Sequence, residues 1–301
     1  MIIYCEKMNI LWILATLLGA ASAKSVICHA CLNRICYRKV TVFEAHHFSG
    51  QLAIDRTKNL LYFHYQNRKS KDFTGQFDLE DIKFRIVPNV TFTFGHAVNQ
   101  ETGELYMSGD RGIYKYNPSK NVTEFYGLPD KTVWHLQYHN TLYYSQFQKK
   151  GLSSYSNKKK SESIMPLSNY DIDDFIVDKL GDIYFLSDQI TYVLKKGAKE
   201  AAIFEDEIYF LSTDYNSEVY FIQPYTRAIY KLDYSTRRLE EVGALERGLL
   251  VKIVFDTNNN MIYLDGLTQK LYYLIPNYNK CNVLTTGAGR KSRKYLQLVM
   301  E

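Results

Sequence analysis

Gln51-Leu-Ala-Ile-Asp-Arg-Thr-Lys-Asn-Leu-Leu-Tyr-Phe63 opens with a short apolar run, turns at Asp-Arg-Thr-Lys-Asn, and resumes as a second apolar run. Two short strands joined by an Asp/Asn turn explain that pattern. The aliphatic–Tyr pair that follows the turn recurs along the chain. It is Leu61-Tyr62, Leu105-Tyr106, Leu142-Tyr143, Ile183-Tyr184, Val219-Tyr220 and Ile262-Tyr263, at spacings of 36 to 44 residues. A period near 40 built from short strands is the signature of β-propeller blades. The expectation is an all-β, six-bladed β-propeller.

Each repeat divides into an inner strand A, then B, C and an outer strand D. In the first repeat these fall at 51–55, 60–65, 75–79 and 82–87. In the second they fall at 96–98, 104–108, 112–116 and 122–126. The third repeat carries Lys158-Lys159-Lys160 in its C–D turn, which reads as a solvated loop tip. The sixth repeat lacks a D strand, whereas residues 37–43, Tyr-Arg-Lys-Val-Thr-Val-Phe, form a strand with no repeat of their own. The N-terminal strand is therefore expected to complete the last blade beside 271–275 and close the ring, removing two unpaired edges.

Outside the repeats, the chain opens with Lys7, an uncharged apolar run over 10–20, and Ala21-Ser22-Ala23. This is the layout of a secretion signal cleaved before Lys24, and the run is short for a retained membrane anchor. No stable membrane span is expected. About 278 residues remain, enough for one large core. Tyr (26) and Phe (16) are abundant and Pro (6) is scarce, a composition suited to half-buried strands. The net charge is +5, of which residues 282–301 supply +3 and residues 1–23 none. The 24–281 body is thus nearly neutral, which argues against a nucleic-acid partner. Residues 282–301 read as a basic, poorly ordered tail.

Four cysteines survive removal of the leader: Cys28, Cys31, Cys36 and Cys281. An even number in a secreted chain implies disulfides, with three possible connectivities. Closure by 37–43 brings the early cluster toward Cys281, so Cys281 is expected to bond to one of the other three. Cys28-x-x-Cys31 also has the spacing of a metal or redox motif, but no second such pair accompanies it. Asn89-Val90-Thr91 and Asn121-Val122-Thr123 are N-glycosylation sequons.

Catalytic signatures are missing: there is no nucleophile elbow, zinc-protease helix or P-loop. Metal-dependent propeller lactonases and esterases need carboxylates and amides converging on the axis. The early positions of the inner strands are instead Gln51, Phe94, His96, Trp134, His135, Asp174, Phe175, Tyr209 and Lys252. One acid makes a poor Ca²⁺ cage, so no metal, cofactor or catalytic residue is assigned. Several aromatics make a slot for a flat ligand. Taken singly, an aromatic on an inner strand more often packs between blades.

The segment Phe94-Gly-His-Ala-Val-Asn-Gln-Glu-Thr-Gly-Glu-Leu-Tyr-Met-Ser-Gly-Asp-Arg-Gly-Ile-Tyr-Lys-Tyr-Asn117 resembles the insect ommochrome-binding proteins. So do 51–63, the stretch Phe175-Ile-Val-Asp-Lys-Leu-Gly-Asp-Ile-Tyr-Phe185, the early Cys36-Tyr37 and the terminal Asn279-Lys-Cys281. The likeness spans roughly 36–281. It implies a secreted, monomeric, non-catalytic haemolymph protein that binds an ommochrome or related kynurenine-pathway compound. Such ligands are planar, conjugated and bear amino-acid groups. Stacking would fall to Phe94, Trp134, Phe175 and Tyr209, and an anionic group to His96, Arg111 or Lys252, all chosen from the channel positions or beside them. Cys31, the lysine-rich loop and the basic tail depart from the family pattern. The competing classes are a propeller hydrolase of lactonase or esterase type and an extracellular protein-interaction propeller.

Overall fold

In each separate four-stranded sheet the fourth strand is the least buried, and that contrast between inside and rim organises the molecule. The computed structural model describes residues 28–90, 92–156, 160–205 and 208–281. The expected leader, the 282–301 tail, and Lys158 and Lys159 lie outside the described residues. Two strands come first, β1 (Ala30–Leu32) and β2 (Ile35–Glu44). The first four-stranded sheet comprises β3 (His47–Asp55), β4 (Leu60–Gln66), β5 (Asp72–Asp78) and β6 (Lys83–Ile86). The second comprises β7 (His96–Asn99), β8 (Glu104–Gly109), β9 (Gly112–Asn117) and β10 (Val122–Gly127). In this sheet β7 is wholly buried and β10 largely exposed.

The third sheet holds β11 (Val133–His139), β12 (Thr141–Gln146), β13 (Lys149–Ser156) and β14 (Lys160–Ser163). The fourth holds β15 (Asp174–Val177), β16 (Ile183–Ser187), β17 (Ile190–Leu194) and β18 (Ala202–Glu205). A single 3₁₀ turn, Met165–Leu167, is the one helical element among the described residues. The remaining strands are β19 (Phe210–Thr213), β20 (Val219–Gln223), β21 (Ala228–Asp233), β22 (Arg238–Leu245), β23 (Leu250–Phe255), β24 (Met261–Asp265) and β25 (Lys270–Lys280). The innermost strands β3, β7, β11, β15, β19 and β23 neighbour one another in a closed circle.

The sequence leads to six separate blades; the structure has four separate four-stranded sheets. The other nine strands form one sheet, ordered β19-β20-β21-β22-β1-β2-β25-β24-β23. The cause is β1. It pairs on one side with β22 (Cys31 opposite Ala244) and on the other with β2 (Cys31 opposite Cys36). Gly243, at φ 151°, permits this approach, because a Cβ there would lie 2.0 Å from the Cys31 carbonyl oxygen.

As expected, the 37–43 segment pairs with the last strand: Arg38 lies opposite Ile275, Val40 opposite Tyr273 and Phe43 opposite Leu271. Two disulfides clamp the seam, Cys28–Cys36 and Cys31–Cys281, the second joining residues 250 apart. The chain-entropy model puts such a loop at about 5 kcal/mol as an upper value.

Apolar clusters fill the spaces between successive groups of strands. Ala53, Leu60 and Tyr62 of the first sheet meet Val98, Leu105, Met107 and Tyr116 of the second. Leu152 and Leu167 pack on Phe175, Val177 and Phe185. Tyr220 and Ile222 pack on Ile253, Phe255 and Met261. The repeated tyrosine therefore serves the core: Tyr62, Tyr106, Tyr184, Tyr220 and Tyr263 are all buried.

Candidate functional site

The six inner strands enclose a small central channel of about 150 Å³. Its two ends are built differently. At the end where each inner strand turns into the next strand, Asp55, Asn99, Asp178, Asp214 and Asp256 are buried. Each folds its own turn. Asp178 Oδ1 accepts from the N–H groups of Leu180 and Asp182, both at 2.9 Å. Asp214 Oδ1 accepts from Asn216 (2.9 Å) and Glu218 (3.0 Å), and Asp256 Oδ1 from Asn258 (2.8 Å) and Asn260 (2.7 Å). Local Asx hydrogen bonding thus converts the sequence repeat into a rigid rim.

Neighbouring turns are tied together at this rim. Gln100 donates to Ile54 O (2.8 Å) and accepts from Arg56 N (3.0 Å). Lys179 N donates to Ser217 O, Tyr215 N to Asn259 Oδ1, and Thr257 N to Asn59 Oδ1. The Arg56 side chain spans the channel floor, donating from Nε to Phe255 O (3.2 Å) and from Nη2 to Thr213 O (2.6 Å). Burial pushes its pKa down to about 10, against the pull of Asp214, so it stays charged at neutral pH.

The opposite end is a mouth framed by aromatics. Phe94 sits 4.7 Å from Trp134 and 4.7 Å from Phe92, and Trp134 lies 5.0 Å from Phe147, centroid to centroid. Phe92 (47%) and Phe147 (46%) remain exposed, and Phe94 and Trp134 are half-buried. Trp134 also stacks at 9° on His135, whose Nδ1 lies 3.1 Å from Asp174 Oδ1. Burial pushes the His135 imidazole down, with Asp174 pulling the other way. Burial raises the Asp174 carboxyl, but His135 and Lys252 outweigh it and hold it below the usual range. Asp173, beside it, is pushed up by burial and by Asp188, Asp171 and Asp174. The mouth therefore presents an aromatic side over β7 and β11, an acidic side over β15, and Lys252 in the channel wall.

Several expected residues take other places. His96 is buried in a polar chain: Nδ1 meets Gln51 O at 2.9 Å and Nε2 meets Thr93 Oγ1 at 2.9 Å, which in turn meets Thr74 Oγ1. Burial, then the His64 charge, push its pKa down to about 3, so it is a neutral internal strut. Phe175 is 1% exposed and packs in the core, because alternation along β15 turns Asp174 toward His135 and Phe175 to the other face. Tyr209 precedes β19 and packs edge-on against Tyr225. Arg111 is exposed on the β8–β9 turn beside Asp110. Of the seven proposed contacts, Phe94, Trp134 and Lys252 share the mouth. Phe92, Phe147 and Arg56 were missed. Arg56 and Gln100 directly follow the turn Asp/Asn, so alignment of the repeats would have flagged both.

The shape can be matched to known proteins. The fold is propeller-like. No family model matches the chain, and no curated protein does. Solved structures do. A gluconolactonase from Xanthomonas campestris described as important in glucose secondary metabolic pathways superposes with a TM-score of 0.62 at 11% identity, over 83% of this chain and 96% of that one. An auxiliary nutrient binding protein from Bacteroides ovatus gives 0.61 at 12% identity, over 80% and 77%. The extracellular domain of a putative one-component system from Bacteroides thetaiotaomicron gives 0.51 at 12%, over 80% of this chain and 40% of that one. Such identities speak for fold alone. The two disulfides are of the kind that form and persist in oxidising, extracellular surroundings. No helix among the described residues is long and apolar enough to cross a membrane.

No three His, Cys, Asp or Glu among the described residues are placed to hold a metal ion. The channel amides are engaged: Gln51 Oε1 accepts from Leu136 N (2.7 Å) and His96 N, and Gln137 clamps Val177 through its N–H and carbonyl.

Proposed function

We propose that this protein is an extracellular recognition propeller that takes a small aromatic ligand on the mouth of its ring. On this reading the nine-stranded sheet is two blades joined at their outer edges by β1, and the ring counts six. One observation carries the functional reading. Phe92, Phe94, Trp134 and Phe147 form a contiguous, half-open aromatic array beside a cation and a group of acids. An aromatic body would lie on the array. A carboxylate would meet Lys252, and an ammonium would meet the Asp171, Asp173 and Asp188 side. A planar compound with an amino-acid head has all three parts. The resemblance to the ommochrome-binding proteins makes tryptophan-derived pigments the first class to try, with haemolymph as the setting.

The channel itself is small against the ~300–1,000 Å³ of ordinary ligand pockets. The ring system must therefore lie on the mouth, which moves the contact set from Phe175 and Tyr209 to Phe92 and Phe147. The chain has two tryptophans, Trp12 in the leader and Trp134 in the array, so the mature protein reports on its own site. Xanthommatin, 3-hydroxykynurenine and kynurenine are titrated against Trp134 fluorescence and visible absorbance. Saturable quenching is expected for at least one. A flat response to all three removes the reading.

The gluconolactonase likeness supports a second reading, a hydrolase of lactonase type. Glucono-lactone opening that disappears with a chelator would favour it over the carrier.

A further inference from the structure

The sheets differ in how their outer edges are finished. The outer strands β22 and β2 are sealed by β1. The outer strands β6, β10, β14 and β18 end their sheets. Strand β14 exposes Lys160, Ser161, Glu162 and Ser163, a polar edge of the kind that resists pairing. The first two sheets carry large exposed apolar residues on theirs, set beside Lys83 and Arg85 on β6 and Glu124 on β10, and β18 carries Ile203. All four residues of β6 are exposed, with Phe84 at 37% and Ile86 at 48%, and Ile82 just before it at 76%. On β10, Val122 is 43% and Phe125 51% exposed. Among the described residues, six of the thirteen large exposed hydrophobics fall between residues 82 and 125. An apolar strand with unpaired backbone groups is a template for self-association.

The chain's two sequons fall in the same stretch. Asn121 immediately precedes Val122, at the start of β10. Asn89 lies three residues past Ile86, and the next residue, Val90, packs with Tyr114, whose ring is 5.6 Å from Phe125. Both asparagines are exposed and sit in turns, at φ 65° and 51°. The Tyr116 hydroxyl donates to Asn121 Oδ1 at 3.0 Å, not to the Nδ2 that takes a sugar.

We propose that N-linked glycans on Asn89 and Asn121 cover the apolar outer edges of the first two sheets. The secretory lumen supplies a pyrophosphate-lipid-linked oligosaccharide. Nδ2 forms a bond to the sugar C1, the C1–O bond breaks, the lipid pyrophosphate leaves with the electron pair, and the amide loses one proton. The bulky, hydrated sugar then stands where a second strand would dock. The assignment rests on the extracellular reading of the chain.

The test uses the full chain secreted from insect cells. Mass mapping should find sugar on both asparagines and the Cys31–Cys281 crosslink in the same sample. Native treatment with peptide N-glycosidase should raise hydrophobic-dye fluorescence at least twofold and produce dimers and larger species in light scattering. Ile86→Thr with Phe125→Thr should suppress both changes. Bare asparagines overturn the proposal, and if the crosslink is present the extracellular reading survives. Occupied asparagines whose sugars can be removed without dye gain or association overturn the covering role.

Discussion

The two ends of the channel are made by different kinds of interaction. The turn end is local: an Asp or Asn bonds to N–H groups two to four residues ahead, and the same device recurs around the ring. The mouth is assembled from distant positions, with Phe94 before β7, Trp134 in β11 and Phe147 on the β12–β13 turn. Local, repeated bonding gives a rim that each group of strands builds for itself. Convergence of unrelated residues gives a surface that can vary without unmaking the fold. Stability should therefore concentrate at the turn end and ligand recognition at the mouth.

The strongest test of that division is Asp256→Ala. The carboxylate accepts from two backbone N–H groups, the Asn260 amide and the Tyr273 hydroxyl. A buried donor left unsatisfied costs about 1–3 kcal/mol, and with four donors affected a loss of at least about 3 kcal/mol is expected in guanidinium unfolding. Ligand affinity at the mouth should not change. A shift in affinity would show that the two ends are coupled.

Next comes Arg56→Met, which removes a charged group bonded to two carbonyls of different strands. Hydrogen bonds of that kind contribute about 1.5–3 kcal/mol, and a loss of about 2 kcal/mol is expected from the same unfolding curves.

Acid should attack the other end. His96 satisfies its partners as a neutral ring, and its folded pKa of about 3 lies below the ordinary 6.5. The unfolded chain therefore takes up the proton first. Stability from this group is complete above pH 6.5 and falls as the pH drops toward 3, by about 1.4 kcal/mol per pH unit. Unfolding curves between pH 7 and 4 measure the slope, and His96→Gln should flatten it. An unchanged slope in that variant would place the sensitivity elsewhere.

The smallest effect is expected from Trp134→Ala. Loss of one stacking partner should weaken pigment binding by about 0.5–1.5 kcal/mol. Visible absorbance is the readout, since the fluorophore is gone. The unfolding midpoint should move far less than in Asp256→Ala.

Legibility in the sequence follows the same line. The inner hairpins could be read because Asp or Asn, a turn and an aliphatic–Tyr pair are contiguous, and their spacing survives folding. The closing strand could be read because 37–43 had no repeat to belong to. Joining of two sheets by β1 was hidden, since three residues, Ala30-Cys31-Leu32, carry no periodicity. At the mouth, strand register decided the outcome. Starting β15 at Asp174 sends Phe175 into the core and points the acid at His135. A shift of one residue exchanges the two faces of a strand. Phe147 was invisible because its neighbour Trp134 belongs to another strand, and no linear pattern joins them.

The seam also sets a calendar for the molecule. β2 is made near the beginning of synthesis and its partner β25 near the end, so β2 must wait while some 225 residues are added. Contacts between such distant segments form late, because the intervening chain must first be ordered. Cys31 meets Cys281 only when the whole circle is in place. That crosslink is a mark of completed manufacture, and a chain stopped short of residue 281 leaves the ribosome with Cys31 still waiting.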